Sequence, residues 1–242
     1  ESTDRPSYFE EAKFTSVDES LAELKNDNIV AGAAPIIMES VPVVASTGLN
    51  EPLVTLLGFD SRYMSGFEPL ADEEGNNLSL ETLQALDEGH VYVNTDLAEA
   101  LEVGINDTIG IYLGMEETSL TIAGIYESGG KPSAFRLGAD ATAVMPLDEI
   151  QAIRGSSDIN YIIITNQGGE IDGARHSEAV MEALEPALEG TGLKAESIKK
   201  ETLDEADEGG AMFSTVFLVL GSFSMIAGIL LIFLIFVMLA AE

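Results

Sequence analysis

Apolar residues recur along this chain in two rhythms, and over its last stretch in none. Val17, Leu21 and Leu24 lie four and three apart, which puts them on one face of a helix. Ser16-Val-Asp-Glu19 reads as a capping box at its start: the Ser16 hydroxyl accepts from the Glu19 N–H while the Glu19 side chain reaches back. The helix is expected to end near Asn26–Asn28. Residues 29–34, 36–44 and 53–59 are rich in Val and Ile, are separated by Gly, Pro and Asn, and predict strands. Pro35 and Pro42 mark breaks or edge positions, because proline cannot donate to a strand ladder. Gly58-Phe-Asp60 closes the third of these strands.

The middle of the chain alternates shorter elements. Residues 61–89 predict loop and a short helix, capped by Ser79 and with Leu80, Leu83 and Leu86 on one face. Residues 90–93 predict a strand, and Asn94 caps a short helix carrying Leu97 and Leu101. After a turn at 103–107, residues 108–113 and 119–126 predict a hairpin with Leu120 and Ile122 alternating. Residues 128–138 read as loop and 143–145 as strand. Pro146 then opens a helix in its first turn, where a missing N–H costs nothing. A strand at 160–165, a turn at 167–169 and a helix at 171–188 follow, the helix with Val180, Leu184 and Leu188 in register. A last strand is expected at 193–198. Thr202-Leu-Asp-Glu205 is a second capping box, from which a helix can run on without a break.

Beyond it the period is lost. Gly209–Ala241 carries no charge and is bracketed by Glu208 and Glu242. A bilayer core takes about 20 apolar residues as helix. Backbone groups in lipid must be satisfied internally, so this run predicts a membrane-spanning helix. Gly221, Ser224 and Gly228 lie at i, i+3 and i+7 on one face. Small residues let helix backbones approach closely, which makes these three candidates for packing against other membrane helices.

The stretch Phe217–Glu242, FLVLGSFSMIAGILLIFLIFVMLAAE, resembles the second transmembrane helix of FtsX/MacB-type ABC transporter permeases, the archaeal members above all. The order strand, short helix, Gly104-Ile-Asn-Asp-Thr-Ile109, hairpin and Ala123-Gly-Ile125 is similar to the inserted β-rich subdomain of the MacB-type periplasmic core. The resemblance implies a first span ahead of Glu1, further spans beyond Glu242, a permease homodimer or heterodimer, and a separate cytoplasmic ABC ATPase as partner. It also places residues 1 to about 208 outside the cell.

The fold expected is α+β. Residues 1–60 with 148–201 would form an α+β, porter-like subdomain, and 61–147 an inserted β-rich subdomain. Residues 202–242 would be stalk and transmembrane helix. A surface or S-layer-like protein, or a receptor ectodomain on a single C-terminal anchor, is the competing reading. Charge bias does not decide orientation: Lys199 and Lys200 lean weakly against an outside location.

Charge adds the milieu. Lys and Arg number 11 against 42 Asp and Glu, a net charge of −31. The acids are dispersed and apolar residues plentiful, so a folded chain is expected rather than a disordered one. Such a surface repels nucleic acid and anionic headgroups. High salt would screen its self-repulsion, which points to a halophile-like source.

Chemistry is thin. There is no cysteine, hence no thiol nucleophile and no disulfide. His90 and His176 stand without ligand spacing around them. Gly124–Lys131 misses the phosphate-loop pattern, and Pro132 stands where a hydroxyl would hold magnesium. Asp72-Glu-Glu74 and the acids of 204–208 lack calcium-loop spacing. No catalytic residue, cofactor or metal site is expected. Asn77-Leu-Ser79 and Asn106-Asp-Thr108 fit the N-glycosylation acceptor pattern.

Overall fold

The computed structural model describes residues 7–67, 69–72, 74–78, 80–114, 116–128, 139–168 and 172–197. The stalk capping box at Thr202, the membrane run 209–241, and Gly221, Ser224 and Gly228 lie outside them. Among the described residues no helix is long and apolar enough to cross a membrane.

The strands are β1 (Phe9–Glu10), β2 (Val30–Ala45), β3 (Asn50–Phe59), β4 (His90–Asn94), β5 (Thr108–Leu113), β6 (Glu116–Tyr126), β7 (Thr142–Pro146), β8 (Asp158–Ile159) and β9 (Tyr161–Asn166). The helices are α1 (Ala12–Ser20), α2 (Ala22–Asn26), α3 (Leu80–Gln84), α4 (Thr95–Leu101), α5 (Leu147–Arg154) and α6 (Ser177–Leu188), with 3₁₀ turns at Ser61–Gly66 and Asp172–His176.

The long strand β2 holds the rest together. Its first half, from Val30 to Ile36, pairs with β9, and Ile36 to Val44 pairs with β3. Val43 to Ala45 also pairs with β5. The sheet order β3-β7-β4-β6-β5-β2, with β2 bonded back to β3, closes these strands into a barrel. Most ladders are antiparallel, but β3–β7 and β4–β6 run parallel.

Period-two alternation fills the inside. Val41, Val43, Val54, Leu56, Val91, Val93, Ile109, Ile111, Leu120 and Ile122 are buried in one cluster. Leu97, Ala98 and Leu101 of α4 belong to the same cluster. Each such aliphatic side chain contributes on the order of 1.5–3 kcal/mol when fully buried. The cluster continues into Phe14 and Val17 of α1, Ile150 of α5, and Val180 and Leu184 of α6. A second cluster, with Leu57, Phe59, Tyr92, Tyr126 and Val144 at its centre, takes in Met64 of the first 3₁₀ turn and Leu83 of α3.

Several sequence expectations change here. Helix α1 begins at Ala12, so Ser16 and Glu19 sit inside it and form no capping box. Phe14 and Val17 are the buried pair, and extending the apolar face back to Phe14 carries the helix past Ser16. The strands expected at 29–34 and 36–44 are one strand. Pro35 comes one residue before pairing with β3 begins, and Pro42 lies at the register shift between Val41 and Val43. Pro35 also stands within the β9 ladder, opposite Ile162, and the shift at Pro42 leaves that residue outside the β3 register. Residues 193–197 form no strand, and α6 is preceded by a 3₁₀ turn. Among the described residues, the stretch 61–147 supplies β4 to β7, which share one sheet with β2 and β3.

Candidate functional site

Where β3, the first 3₁₀ turn, α1, α3 and α5 meet, a polar cleft of 240 Å³ opens. Glu11, Asp60, Arg62, Gln84, Asp148 and Gln151 line it. Asp60 builds one wall. Its Oδ1 accepts from the Arg62 N–H at 2.9 Å, which caps the 3₁₀ turn, and its carboxylate takes the Arg62 guanidinium as a fork. Burial alone would raise the Asp60 carboxyl, but the Arg62 bonds outweigh it and hold the group below the ordinary carboxylate range. Ser61 N–H donates to Gln84 Oε1 at 3.0 Å and ties α3 to the same corner. A cleft this small and this polar has neither the volume nor the apolar lining of a small-molecule site.

A second polar node links segments far apart in sequence. The Tyr8 hydroxyl and Arg154 both donate to Glu39 Oε1. The Arg154 guanidinium lies 3.5 Å from the centre of the Tyr8 ring. Burial, followed by the Glu39 hydrogen bond and charge, pushes the Tyr8 phenol well above its ordinary value. Arg154 occupies the last turn of α5, where a cation also suits the helix dipole. The node therefore fastens the segment before α1 to β2 and to the end of α5.

A third node is buried. Asn94 Oδ1 accepts from Leu97 N–H at 3.1 Å and from Thr142 N–H at 2.9 Å, and its Nδ2 donates to the Asp140 carbonyl. One side chain thus caps α4 and fixes it to β7. The helix cap was legible in the sequence. The bond to β7 was not, since nothing local marks Thr142 as a partner.

The remaining sequence candidates fall as follows. His90 Nδ1 lies 3.2 Å from the carbonyls of Asp87 and Glu88, and His176 sits at the N-cap of α6. Among the described residues no group of His, Cys, Asp or Glu is arranged to hold a metal ion. Gly124 lies in β6 directly opposite Tyr92 of β4. A Cβ there would meet the Tyr92 ring at 2.4 Å, so this glycine makes room for an aromatic ring. Asp72 accepts from the backbone N–H groups of Glu74 and Asn76, which shapes its own turn. Asn77 and Asn106 are both exposed, Asn77 in a bridge with Ala71 and Asn106 in the turn before β5. Ser79 of the first acceptor triplet lies outside the described residues. The Asp60–Arg62 corner and the Tyr8–Glu39–Arg154 node were missed in the sequence. Asp60 followed by a turn is a cap signal that could have found the first, but Glu39 and Arg154 carry no local signal of their pairing.

No protein-family profile and no curated protein matches this chain. Among solved structures, similarity extends to the extracellular domain of the noncanonic ABC-type transporter YknZ from Gram-positive bacteria. Identity is 14%, with 79% of this chain and 89% of that one covered at a TM-score of 0.49. The periplasmic region of MacB from Actinobacillus actinomycetemcomitans is also similar, at 14% identity over 70% of this chain and 72% of that one, with a TM-score of 0.43. A domain of a putative permease protein from Porphyromonas gingivalis is similar at 14% identity over 70% of this chain and 67% of that one, with a TM-score of 0.39.

Proposed function

We propose that this chain is the extracytoplasmic domain and second membrane helix of an ABC transporter permease, and that a separate cytoplasmic ATPase moves it. The observation that carries the reading is the charge-free run Gly209–Ala241, with its resemblance to a permease helix, placed after a unit that has its own complete core. The solved domains named above include one of an ABC-type transporter and one of a putative permease protein.

Mechanically, the parts suit the transmission of force. A helix leaving Thr202, as the capping box there predicts, would be stiff along its axis, because a helix's hydrogen bonds run along its length. Within the described residues, the Tyr8–Glu39–Arg154 node ties the segment before α1 to β2 and α5. In this reading the domain grips, releases or exports a lipid, lipoprotein or peptide, and it performs no catalysis of its own. The acidic surface suits a high-salt milieu such as that of a halophilic archaeon.

The test uses the assembled transporter. If Gly221, Ser224 and Gly228 face partner helices, Gly228→Leu holds the backbones apart and weakens packing by roughly 1–2 kcal/mol. Transport-coupled ATPase activity then falls while membrane insertion stays normal, since leucine favours insertion. Leu231→Phe, off that face, has little effect. Equal behaviour of the two variants would favour an ectodomain on a lone anchor.

A further inference from the structure

The turn between α4 and β5 carries the acceptor triplet Asn106-Asp107-Thr108, and its geometry separates the asparagine from its surroundings. The backbone is pinned on both sides. Asn106 N–H donates to the Ile122 carbonyl at 2.8 Å, and Ile122 N–H donates to the Asp107 carbonyl at 2.9 Å. The Asp107 carboxylate accepts from Gly104 N–H at 2.7 Å. Asn106 itself has a φ of 71°, in the left-handed region that asparagine tolerates better than most residues. Its side-chain amide, in contrast, makes no hydrogen bond among the described residues. Asn94, Asn160 and Asn166 all spend their amides on backbone carbonyls. Asn106, Asp107 and Thr108 are all exposed, so the amide and the hydroxyl two residues on lie at the surface together. Beside them Ile105 is 54% exposed, one of the few large apolar side chains left in water.

We infer that Asn106 is an N-glycosylation site, and that its glycan covers Ile105 and the neighbouring end of the barrel. The inference rests on the extracytoplasmic location proposed above. The donor is an oligosaccharide linked through its anomeric carbon to a lipid phosphate. A bond forms between Asn106 Nδ2 and that carbon as the bond from carbon to phosphate oxygen breaks. The lipid phosphate leaves with the electron pair, and the amide proton passes to a base of the transferring enzyme. The folded turn accommodates the product, because the Asn106 side-chain amide has no hydrogen-bond partner among the described residues and a sugar there displaces none.

Peptide mapping of the full chain, purified from its native membrane, tests this directly. Cleavage after Glu102 and Glu116 releases residues 103–116 with Asn106 as their only asparagine. The peptide is expected to carry added mass in sugar-sized steps. Asn106→Gln should abolish it, and so should Thr108→Val, which keeps the asparagine and removes the hydroxyl. An unmodified 103–116 peptide, or mass retained in Thr108→Val, overturns the proposal. Labelling of intact cells with a membrane-impermeant amine reagent separates the two ideas. Labelled Lys13 and Lys25 with an unmodified peptide would sink the glycan alone, whereas unlabelled lysines with an unmodified peptide would sink the location and the glycan together.

Discussion

At the scale of single residues, Asp60 does the most for its corner of the fold. It ends β3, caps the 3₁₀ turn and holds Arg62, and its side chain is only 10% exposed whereas that of Arg62 is 73% exposed. Its carboxyl is held below the ordinary range, so its stabilising effect is present above the unfolded value and is lost as pH falls through the folded one. Asp60→Ala should therefore lower stability at neutral pH by about 1 kcal/mol, the usual worth of a lost cap. The gap to wild type should begin to narrow as pH falls below the ordinary carboxylate value, about 4, and close only below the lower folded value, where the carboxyl is protonated in both states. Urea melts across a pH series measure this, and a gap that persists undiminished in acid would contradict the cause given. Single residues of this kind were partly legible in the sequence. Asn94 announces itself, because an asparagine before an apolar helix pattern is a cap. The pairing of Glu39 with Arg154 does not, because only the barrel brings β2 to the end of α5.

Between elements, the first 3₁₀ turn lies tight against β2. A Cβ at Gly66 would lie 2.2 Å from the Ala31 carbonyl oxygen and 2.7 Å from the Gly32 nitrogen, both backbone atoms that cannot swing aside. Gly66→Ala should destabilise the unit by about 1–3 kcal/mol, the usual cost of overpacking. Gly75→Ala meets no atom within 4 Å and pays only for its φ of 81°, so it should cost less. Thermal melts of the two variants test the contact, and equal losses would count against it. Element by element, the sequence was readable where an apolar period is strong, as in β5, β6, α4 and α5. It misled where two signals competed. Pro35 and Pro42 argued for breaks, yet tertiary pairing carries β2 through both. Ser16 and Glu19 have capping-box spacing, yet the apolar face that begins at Phe14 starts the helix earlier. Pairing partners were the least legible of all: β7 lies between β3 and β4 in the sheet and far from both in sequence.

For the whole molecule the dominant quantity is charge. A net −31 on 242 residues opposes compaction, and salt relieves it. Raising ionic strength from about 0.1 M to 1 M shortens the screening length from roughly 10 Å to roughly 3 Å. The thermal midpoint of the described unit should accordingly rise with KCl, and an unchanged or falling midpoint would remove the case for a high-salt milieu. Charge does not decide what the domain does. On the proposed function, ATP hydrolysis on the far side of a membrane moves the domain, and the absence of cysteine from residues 1–242 allows a label to be placed in it. Ser46→Cys, exposed in the turn between β2 and β3, adds one nitroxide attachment point to residues 1–242, which hold no cysteine of their own; any cysteine elsewhere in the transporter is replaced by serine beforehand. Distances between the labels of two copies can then be measured in the assembled transporter in a lipid bilayer, nucleotide-free and trapped with ATP. The permease account predicts a shifted distance distribution on trapping and its return after hydrolysis. One unchanging distribution in a transporter that is turning over ATP would contradict it.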